Sequence, residues 1–277
     1  MKWKITLSDL DIGIEEETAI IRVLRSKWLT MGSETALFEE EFARKVGARH
    51  AIAVNNCTAA LHLALLAAGV KPGDEVILPA LTFVATANAV LYCGATPVFA
   101  DVTSTDDLTV NPTDIARKIT PRTKVILPVH YAGYAADMTA IKELAARHNL
   151  FVIEDAAHAP GASWEGNPVG SIGDVTCFSF FSNKNLATGE GGMLTTDDDN
   201  IASQLRLSRS HGMTTVTYDR HTGHAFSYDV VMTGYNYRIT EIQAAMGRAQ
   251  LAKLDRNNAK RRSLTQAYRE RLKSYPG

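Results

Sequence analysis

Short apolar segments alternate with helical segments between residues 50 and 155, and this alternation constrains the fold more than any other feature of the chain. Strands that alternate with helices of about ten residues or more indicate βαβ units, in which parallel strands form one sheet between layers of helices. The connections between such strands are right-handed in nearly all proteins. We therefore predict an α/β fold with a mostly parallel sheet. The predicted strands are 50–54, 75–79, 96–101, 124–129 and 150–154, and the predicted helices are 58–68, 84–92, 112–118 and 138–148.

Two predicted helices precede this region, and elements of a different pattern follow it. Phe38, Phe42 and Val46 recur on one face of the second helix. Ser33 is the expected N-cap of that helix and Gly47 its expected C-terminal end. The later elements are strands 175–181 and 192–196, helix 197–209, a polar loop over 211–229, and one or two helices over 240–273. We predict a large domain over residues 1–250 and a helix over 251–277 that leads towards a truncated second domain.

The composition excludes several classes of protein. The 277 residues include 29 Lys and Arg against 30 Asp and Glu, and the net charge of −1 does not favour binding to nucleic acid or to an anionic membrane. Cys57, Cys93 and Cys177 are widely spaced, which argues against a disulfide framework or a cysteine-rich zinc site. The sequence shows no secretory signal and no apolar segment long enough to cross a bilayer, so we expect a cytoplasmic protein without a metal.

Three short motifs contain residue types that carry chemistry. Glu154 and Asp155 end a predicted strand, and ligands bind outside the carboxyl ends of the strands in open α/β sheets. Lys184 follows an apolar strand and precedes a glycine-rich turn, where desolvation makes an amine a better Schiff-base nucleophile. Thr58 and the free N–H groups of the first helical turn form an anion site. Each motif alone is also compatible with a plain structural role: a solvated turn, an exposed lysine or an ordinary N-cap.

Together, the three motifs indicate one cofactor with a phosphate, an aldehyde that a lysine can trap, and a ring nitrogen that an acid can keep protonated. Pyridoxal 5′-phosphate (PLP) has all three groups. The chain also resembles the DegT/DnrJ/EryC1/StrS family of sugar aminotransferases over residues 12–254. This resemblance implies the large domain of a fold-type-I PLP-dependent transferase, with a mostly parallel, seven-stranded sheet between helices. The blocks that carry it are 27–32, 38–43, 55–61, 79–88, 128–133, 154–159, 178–192 and 234–238.

The resemblance implies three catalytic residues. Lys184 is the lysine that forms an internal aldimine with PLP, Asp155 pairs with the pyridine nitrogen, and His158 lies near the ring oxygen. A carboxylate in a low-dielectric pocket favours the protonated ring nitrogen. Once the amino donor has displaced it, the lysine becomes a free amine that can act as general base and acid.

The resemblance also implies binding residues. Further cofactor contacts are expected from Phe83 on the ring face, from Thr58, the Ala59 amide and Ser179 at the phosphate, and from Asn236, which reaches the phosphate of the partner's cofactor. That last contact requires a homodimer with shared active sites. Substrate contacts are expected from the loop that contains Tyr218, Arg220 and His224.

The expected activity is the transfer of an amino group from glutamate to a keto group of a nucleotide-linked deoxy sugar. Lys184 stands where dehydratases of the family have histidine, which favours transamination. The segments 130–133 and 154–158 are similar to the branch that makes 4-amino-4-deoxy-arabinose nucleotide sugars, so amination at C4 is the first expectation.

Alternatives remain open because family members continue well past residue 277, so that the small C-terminal domain is expected to be largely missing. A non-catalytic PLP-binding remnant or regulator is one alternative, and a fold-type-I lyase is a more distant one. At single positions, His130 is equally compatible with a hydrogen-bonded core residue, and Trp28 is expected to pack rather than to stack on substrate. His221 and His224 have no neighbouring cluster that would support a metal.

Overall fold

The secondary structure follows the predicted order of elements. The computed structural model describes residues 9–215, 218, 221–223 and 226–275. The strands are β1 (His50–Val54), β2 (Glu75–Pro79), β3 (Thr96–Ala100), β4 (Thr123–Ile126), β5 (Phe151–Asp155), β6 (Ser163–Trp164), β7 (Asn167–Pro168), β8 (Val175–Ser179) and β9 (Gly192–Thr196). The α-helices are α1 (Ile14–Ser26), α2 (Ser33–Val46), α3 (Cys57–Ala67), α4 (Val84–Tyr92), α5 (Pro112–Lys118), α6 (Met138–His148), α7 (Asp199–Arg209) and α8 (Glu241–Leu272).

Seven strands form one sheet in the order β1-β9-β8-β5-β4-β2-β3. The pairs within the run β3-β2-β4-β5-β8 are parallel, whereas β9 is antiparallel to both β1 and β8. Parallel neighbours need a crossover connection, and no helix lies between β8 and β9, so the chain returns in the opposite direction there. The mostly parallel, seven-stranded α/β fold is therefore confirmed, with one reversed strand.

The helices cover the sheet and bury its apolar strands. Strands β2 and β8 are buried at every position, as expected for a sheet with both faces covered. Helix α3 is apolar on all sides and packs against α4, α7, β8 and β9, which explains why it shows little amphipathic pattern. Helices α1, α2 and α8 pack together at the other side of the molecule. The phenylalanine stripe predicted for α2 is buried there, with Phe38 and Phe42 against Phe180.

The N-terminus of α2 differs from the prediction. Ser33 is the first helical residue rather than the N-cap, and Gly32 stands at the cap without a side chain to accept hydrogen bonds. The carboxylate of Glu241 takes that role from the start of α8, since it accepts from the backbone N–H groups of Gly32 (2.8 Å), Glu34 (2.8 Å) and Thr35 (2.9 Å). The prediction was wrong because a cap from a distant helix leaves no local pattern around residue 33.

Other boundaries shift by a few residues. The segment predicted as one or two helices over 240–273 forms one continuous helix, α8, over residues 241–272. It passes residue 250 without a break, so the division of domains at that residue stays a prediction. The small β6–β7 hairpin was not predicted, since strands of two residues are too short to show a period. Among the described residues, no helix has both the length and the apolar character required to cross a membrane.

Candidate active site

A cleft of about 810 Å³ opens at the carboxyl ends of the central strands. Strands β5 and β8 are parallel neighbours, so the residues at their ends meet there with the loop that follows β8 and the first turn of α3. The fold thus brings together most of the residues predicted to bind or act on a cofactor. The cleft is lined by Thr58, Ala59, Phe83, Asp155, His158, Ser179 and Lys184.

Asp155 is the last residue of β5 and lies at the base of the cleft with only 4% of its surface exposed. Its Oδ2 accepts a 2.8 Å hydrogen bond from the hydroxyl of Thr86 in α4, and its Oδ1 accepts one of 3.1 Å from the backbone N–H of Ala157. The Thr86 hydroxyl also lies 2.7 Å from that of Thr82. These contacts fix the carboxylate and leave it with further acceptor capacity for a donor in the cleft.

Lys184 lies in the loop after β8, in a turn where its backbone N–H donates to the carbonyl of Phe181 (2.9 Å). Burial lowers the pKa of its ammonium, while the charge of Asp155 opposes that shift. The net effect is a larger fraction of free amine at neutral pH than an exposed lysine has. A free amine is the form that attacks an aldehyde carbon, so the position suits a lysine that forms a covalent bond to a carbonyl ligand.

His158 borders both Lys184 and the loop after β4. Although its ring is accessible from the cleft, the surrounding protein lowers the pKa of the imidazole, and the positive charge of Lys184 adds to that effect. Asp155 opposes the shift. The ring is therefore neutral at pH 7, and its Nδ1 lies 3.3 Å from the backbone nitrogen of Ala132.

The first turn of α3 carries groups that suit an anion, although the Ala59 amide has a partner within the protein. Asn56 is the N-cap, and its Oδ1 accepts the backbone N–H of Ala59 at 2.8 Å. The Ala59 amide, predicted to hold a phosphate, is therefore engaged within the cap. The hydroxyl of Thr58, the positive end of the helix dipole and the nearby hydroxyl of Ser179 remain as the groups that suit an anion.

Other predicted residues lie at the mouth of the cleft or away from it. Phe83 precedes α4 at the mouth with 72% of its surface exposed. Asn236 is exposed and does not line the cleft of its own protomer. Tyr218 packs edge-on against Trp28 at a centroid distance of 5.3 Å, also outside the cleft. Arg220 and His224 lie outside the described residues.

Several lining residues were not predicted. Three of them are Tyr131, Glu190 and Tyr237. Each lies within a sequence block that carries the family resemblance, and this location is the sequence feature that could have pointed to them. Asn183 and Thr82 also line the cleft, and they lie within two of the same blocks, 178–192 and 79–88, so the same signal was available for them.

The geometry agrees with the structural roles expected for His130 and Trp28. His130 is fully buried and its Nε2 lies 2.8 Å from Glu154, so it is a hydrogen-bonded core residue. Trp28 stacks on His221 at a centroid distance of 4.6 Å, which is packing within the protein. Over the parts of the chain that the structure describes, no group of three or more metal-ligand side chains comes together.

Comparison with known proteins decides the family. The model of the DegT/DnrJ/EryC1/StrS aminotransferase family matches residues 10–277. The chain belongs to this family. It is 46% identical over 267 residues to the spore coat polysaccharide biosynthesis protein SpsC of Bacillus subtilis, a match that covers 96% of this chain and 68% of SpsC. The predicted recognition is confirmed at the level of the family, whereas none of these matches addresses the branch that makes 4-amino-4-deoxy-arabinose.

Solved structures of sugar aminotransferases share the fold. Helicobacter pylori PseC, an aminotransferase involved in the biosynthesis of pseudoaminic acid, has a TM-score of 0.90 at 33% identity, with 98% of this chain and 71% of PseC covered. The PLP form of Spr1654 from Streptococcus pneumoniae has a TM-score of 0.89 at 30% identity, with 98% of this chain and 72% of that chain covered. The chain thus spans roughly 70% of the length of these relatives. It is an enzyme of a family that transfers amino groups to sugars.

PLP is the cofactor of this family, and the cleft fits it. The buried carboxylate of Asp155 suits a protonated ring nitrogen, and the half-buried amine of Lys184 suits an aldehyde. Hydroxyl groups at a helix N-terminus suit a phosphate dianion. One cleft thereby holds a partner for each of the three polar groups of PLP.

Proposed function

We propose that this enzyme transfers an amino group from glutamate to the C4 keto group of a nucleotide-linked deoxy sugar. The observation that carries the proposal is the placement of Lys184 and Asp155 in one cleft, with the lysine half-buried and the aspartate fixed by two hydrogen bonds. A PLP site needs both residues, because the acid keeps the ring nitrogen protonated and the lysine bonds to the aldehyde.

When bound, PLP supplies an electron sink that makes a C–H bond next to nitrogen acidic. Asp155 holds the proton on the ring nitrogen, and its hydrogen bond from Thr86 keeps the carboxylate oriented towards the cleft. Lys184 would remove the proton from the substrate carbon and return it to the carbon on the other side of the nitrogen, two atoms away, since an uncharged amine can act first as base and then as acid. His158 lies beside Lys184 and is neutral at pH 7, so it adds no positive charge next to the amine.

The substrate is inferred from the names of two relatives and from the similarity of two sequence segments to one branch of the family. SpsC is named for polysaccharide biosynthesis and PseC for the biosynthesis of pseudoaminic acid, which supports a sugar as the acceptor. The choice of C4 and of a nucleotide-linked deoxy sugar rests on the similarity of residues 130–133 and 154–158 to the C4-aminating branch. Glutamate is proposed as donor because it is the usual donor of the family.

A homodimer with shared active sites is part of the proposal. Phe83 at the mouth of the cleft and Val84, Leu91 and Tyr92 of α4 are exposed, which leaves apolar surface beside the site. Exposed apolar surface of this kind is typical of a protein interface. Asn236 is exposed and lies outside its own cleft, which supports a contact with a second copy. The proposed contact joins Asn236 to the phosphate that the partner holds.

The visible spectrum of the purified protein tests the first half of the reaction. PLP acquires a visible absorbance band when its aldehyde bonds to a lysine, and we expect glutamate to convert this band to the shorter-wavelength absorbance of the aminated cofactor. A band that persists in glutamate would contradict amino transfer from this donor and favour the alternative of a PLP-binding protein without turnover. If the band converts, a nucleotide 4-keto sugar should restore it and yield an amino sugar detectable by mass spectrometry.

A further inference from the structure

The hydrogen bond between Ala132 and His158 defines which ring nitrogen of His158 carries a proton. A backbone N–H can only donate, and the Ala132 nitrogen lies 3.3 Å from Nδ1 of His158. Nδ1 must therefore be the unprotonated, accepting nitrogen. Because the ring is neutral at pH 7, its single proton lies on Nε2.

The Ala132 amide reaches His158 because the backbone turns sharply at this point. Ala132 has φ 53° and ψ 18°, a left-handed conformation that is unfavourable for a residue with a side chain. The next residue, Gly133, also has a positive φ, and a Cβ there would lie 3.1 Å from the carbonyl oxygen of His158. The turn therefore packs closely against His158. An unfavourable backbone conformation such as that of Ala132 persists only where surrounding contacts hold it.

Those contacts come from His130, which precedes the turn. Its backbone N–H donates to the carbonyl of Asp155 (3.0 Å), and its carbonyl accepts the N–H of Gly133 (3.2 Å). Its Nδ1 accepts the N–H of Ala136 (3.1 Å), so its Nε2 carries the proton and donates to Glu154 Oε2 at 2.8 Å. The imidazole of His130 therefore links the two ends of the loop 130–136 to Glu154 in β5.

Glu154 is the buried anchor of this arrangement. Both side chains of the Glu154–His130 pair have no exposed surface. The second carboxylate oxygen accepts from the Thr176 hydroxyl (2.7 Å) and from the N–H of Gly173 (2.7 Å). Burial alone would raise the pKa of Glu154, but the hydrogen bonds from its three partners outweigh that effect and hold its pKa below the ordinary value. An ionised carboxylate with every contact satisfied gives a rigid point of attachment.

We propose that the Glu154–His130 pair positions the Ala132 amide against His158 and so fixes His158 as the Nε2–H tautomer, a hydrogen-bond donor towards an anionic oxygen in the cleft. His130 and Glu154 are positioning residues, since neither lines the cleft. The identity of the acceptor, the ring oxygen of PLP, rests on the proposed function. The tautomer itself does not, because it is set by the protein alone.

Long-range ¹H–¹⁵N NMR of the cofactor-free, histidine-labelled protein at pH 7.5 measures the tautomer directly. His158→Gln identifies the signals of His158 by their loss. We expect one protonated Nε2 and one unprotonated Nδ1. A proton on Nδ1, or rapid averaging between the two tautomers in the unmodified protein, would overturn the proposal.

Two variants test the positioning role. Glu154→Gln should weaken the hold on His130 and give His158 signals that average between the tautomers, whereas His148→Gln, at an exposed position in α6, should leave them unchanged. If Glu154→Gln does not fold, Thr176→Val replaces it as the test variant, because it removes one hydrogen-bond donor to Glu154 with little change in side-chain shape. An unchanged His158 signal in the folded variant would show that the pair does not set the tautomer. Failure of the proposed function would appear separately, as a missing PLP band in a protein whose His158 still shows Nε2–H.

Discussion

Glu154 and Asp155 are adjacent on β5, but their carboxylates have different partners on opposite faces of the sheet. Successive side chains of a strand alternate between faces, so Glu154 contacts His130 and Thr176 while Asp155 contacts Thr86 at the base of the cleft. The two neighbouring acids identified in the sequence therefore divide into Glu154, which is buried in the scaffold, and Asp155, which faces the cleft. A shift of one residue in the register of β5 would exchange these two environments.

Replacement of Lys184 should abolish the covalent link to PLP. We expect Lys184→Ala to lack the visible band that PLP acquires on a lysine, because no other described lysine lines the cleft. The absorbance spectrum with added PLP measures the effect, and Lys273→Ala, at an exposed position near the end of the described chain, is the control. An unchanged band in Lys184→Ala would remove this residue from its proposed role.

Loss of the Thr86 hydroxyl should slow amino transfer without removing Asp155. Hydrogen bonds to charged groups contribute about 1.5–3 kcal/mol, so Thr86→Val is expected to lower the rate of the glutamate half-reaction by roughly tenfold or more. Stopped-flow absorbance gives that rate. Thr82→Val is the matched control, because the Thr82 hydroxyl contacts Thr86 but not Asp155. Equal rates in the two variants would show that the Thr86–Asp155 contact is not important for the reaction.

Glu241 should contribute strongly to the stability of the fold. Its carboxylate accepts three backbone N–H groups at the start of α2 and the hydroxyl of Thr35 at 2.6 Å. We expect Glu241→Gln to lower the free energy of unfolding by about 2 kcal/mol, as for the loss of a helix cap. Glu40→Gln, which removes an exposed ion pair with Arg44 on the same helix, should cost about 0.5 kcal/mol or less. Urea unfolding measures the free energy of unfolding of both variants. Similar losses of this free energy in the two variants would contradict the role given to Glu241.

The buried contact between Glu16 and Lys253 predicts a pH-dependent stability. Burial raises the pKa of Glu16, but hydrogen bonds from Lys253 (2.7 Å), the Gly13 N–H (2.8 Å) and Gln250 (2.8 Å) outweigh it and lower the pKa below the ordinary value. A carboxyl group with a lowered pKa stabilises the folded state fully above its unfolded pKa, near 4.3–4.5, and this contribution is lost as the pH falls through the folded pKa.

Glu16→Gln should therefore be less stable than the unmodified protein by about 2 kcal/mol at pH 7, with a difference that narrows below about pH 4. Urea unfolding between pH 7 and pH 3 measures this difference. Glu17→Gln, at an exposed position one residue further along α1, should change stability little at any of these pH values. A difference for Glu16→Gln that stays constant with pH would show that its charge is not responsible.

Much of the fold could be predicted because its signals are local. Helices α5 and α6 have the predicted bounds, since the Pro at the start of one and the amphipathic pattern of the other depend on neighbouring residues. The same holds for the C-cap at Gly47, where the backbone is left-handed. Lys184 and Asp155 could be placed in one site because the carboxyl ends of parallel strands meet at one edge of the sheet.

Other parts of the site could not be predicted, because they depend on contacts between distant segments. Nothing near Asp155 indicates that the Thr86 hydroxyl holds its carboxylate, and nothing near Tyr218 indicates that its ring packs against Trp28. Both contacts join segments that are far apart in the chain. Neither leaves a period or a composition that a single sequence displays.

The sequence by itself determined the order of strands and helices, the family, and the chemical types that line the cleft, since each of these depends on periodicity or on short motifs. Only the tertiary structure decided that Glu241 caps a helix more than 200 residues earlier and that Glu154 holds His130 rather than a ligand. The physical reason is that hydrogen bonds within a turn are encoded by neighbouring residues. Pairing between buried polar groups far apart in the chain is selected only when the packed fold removes water from both.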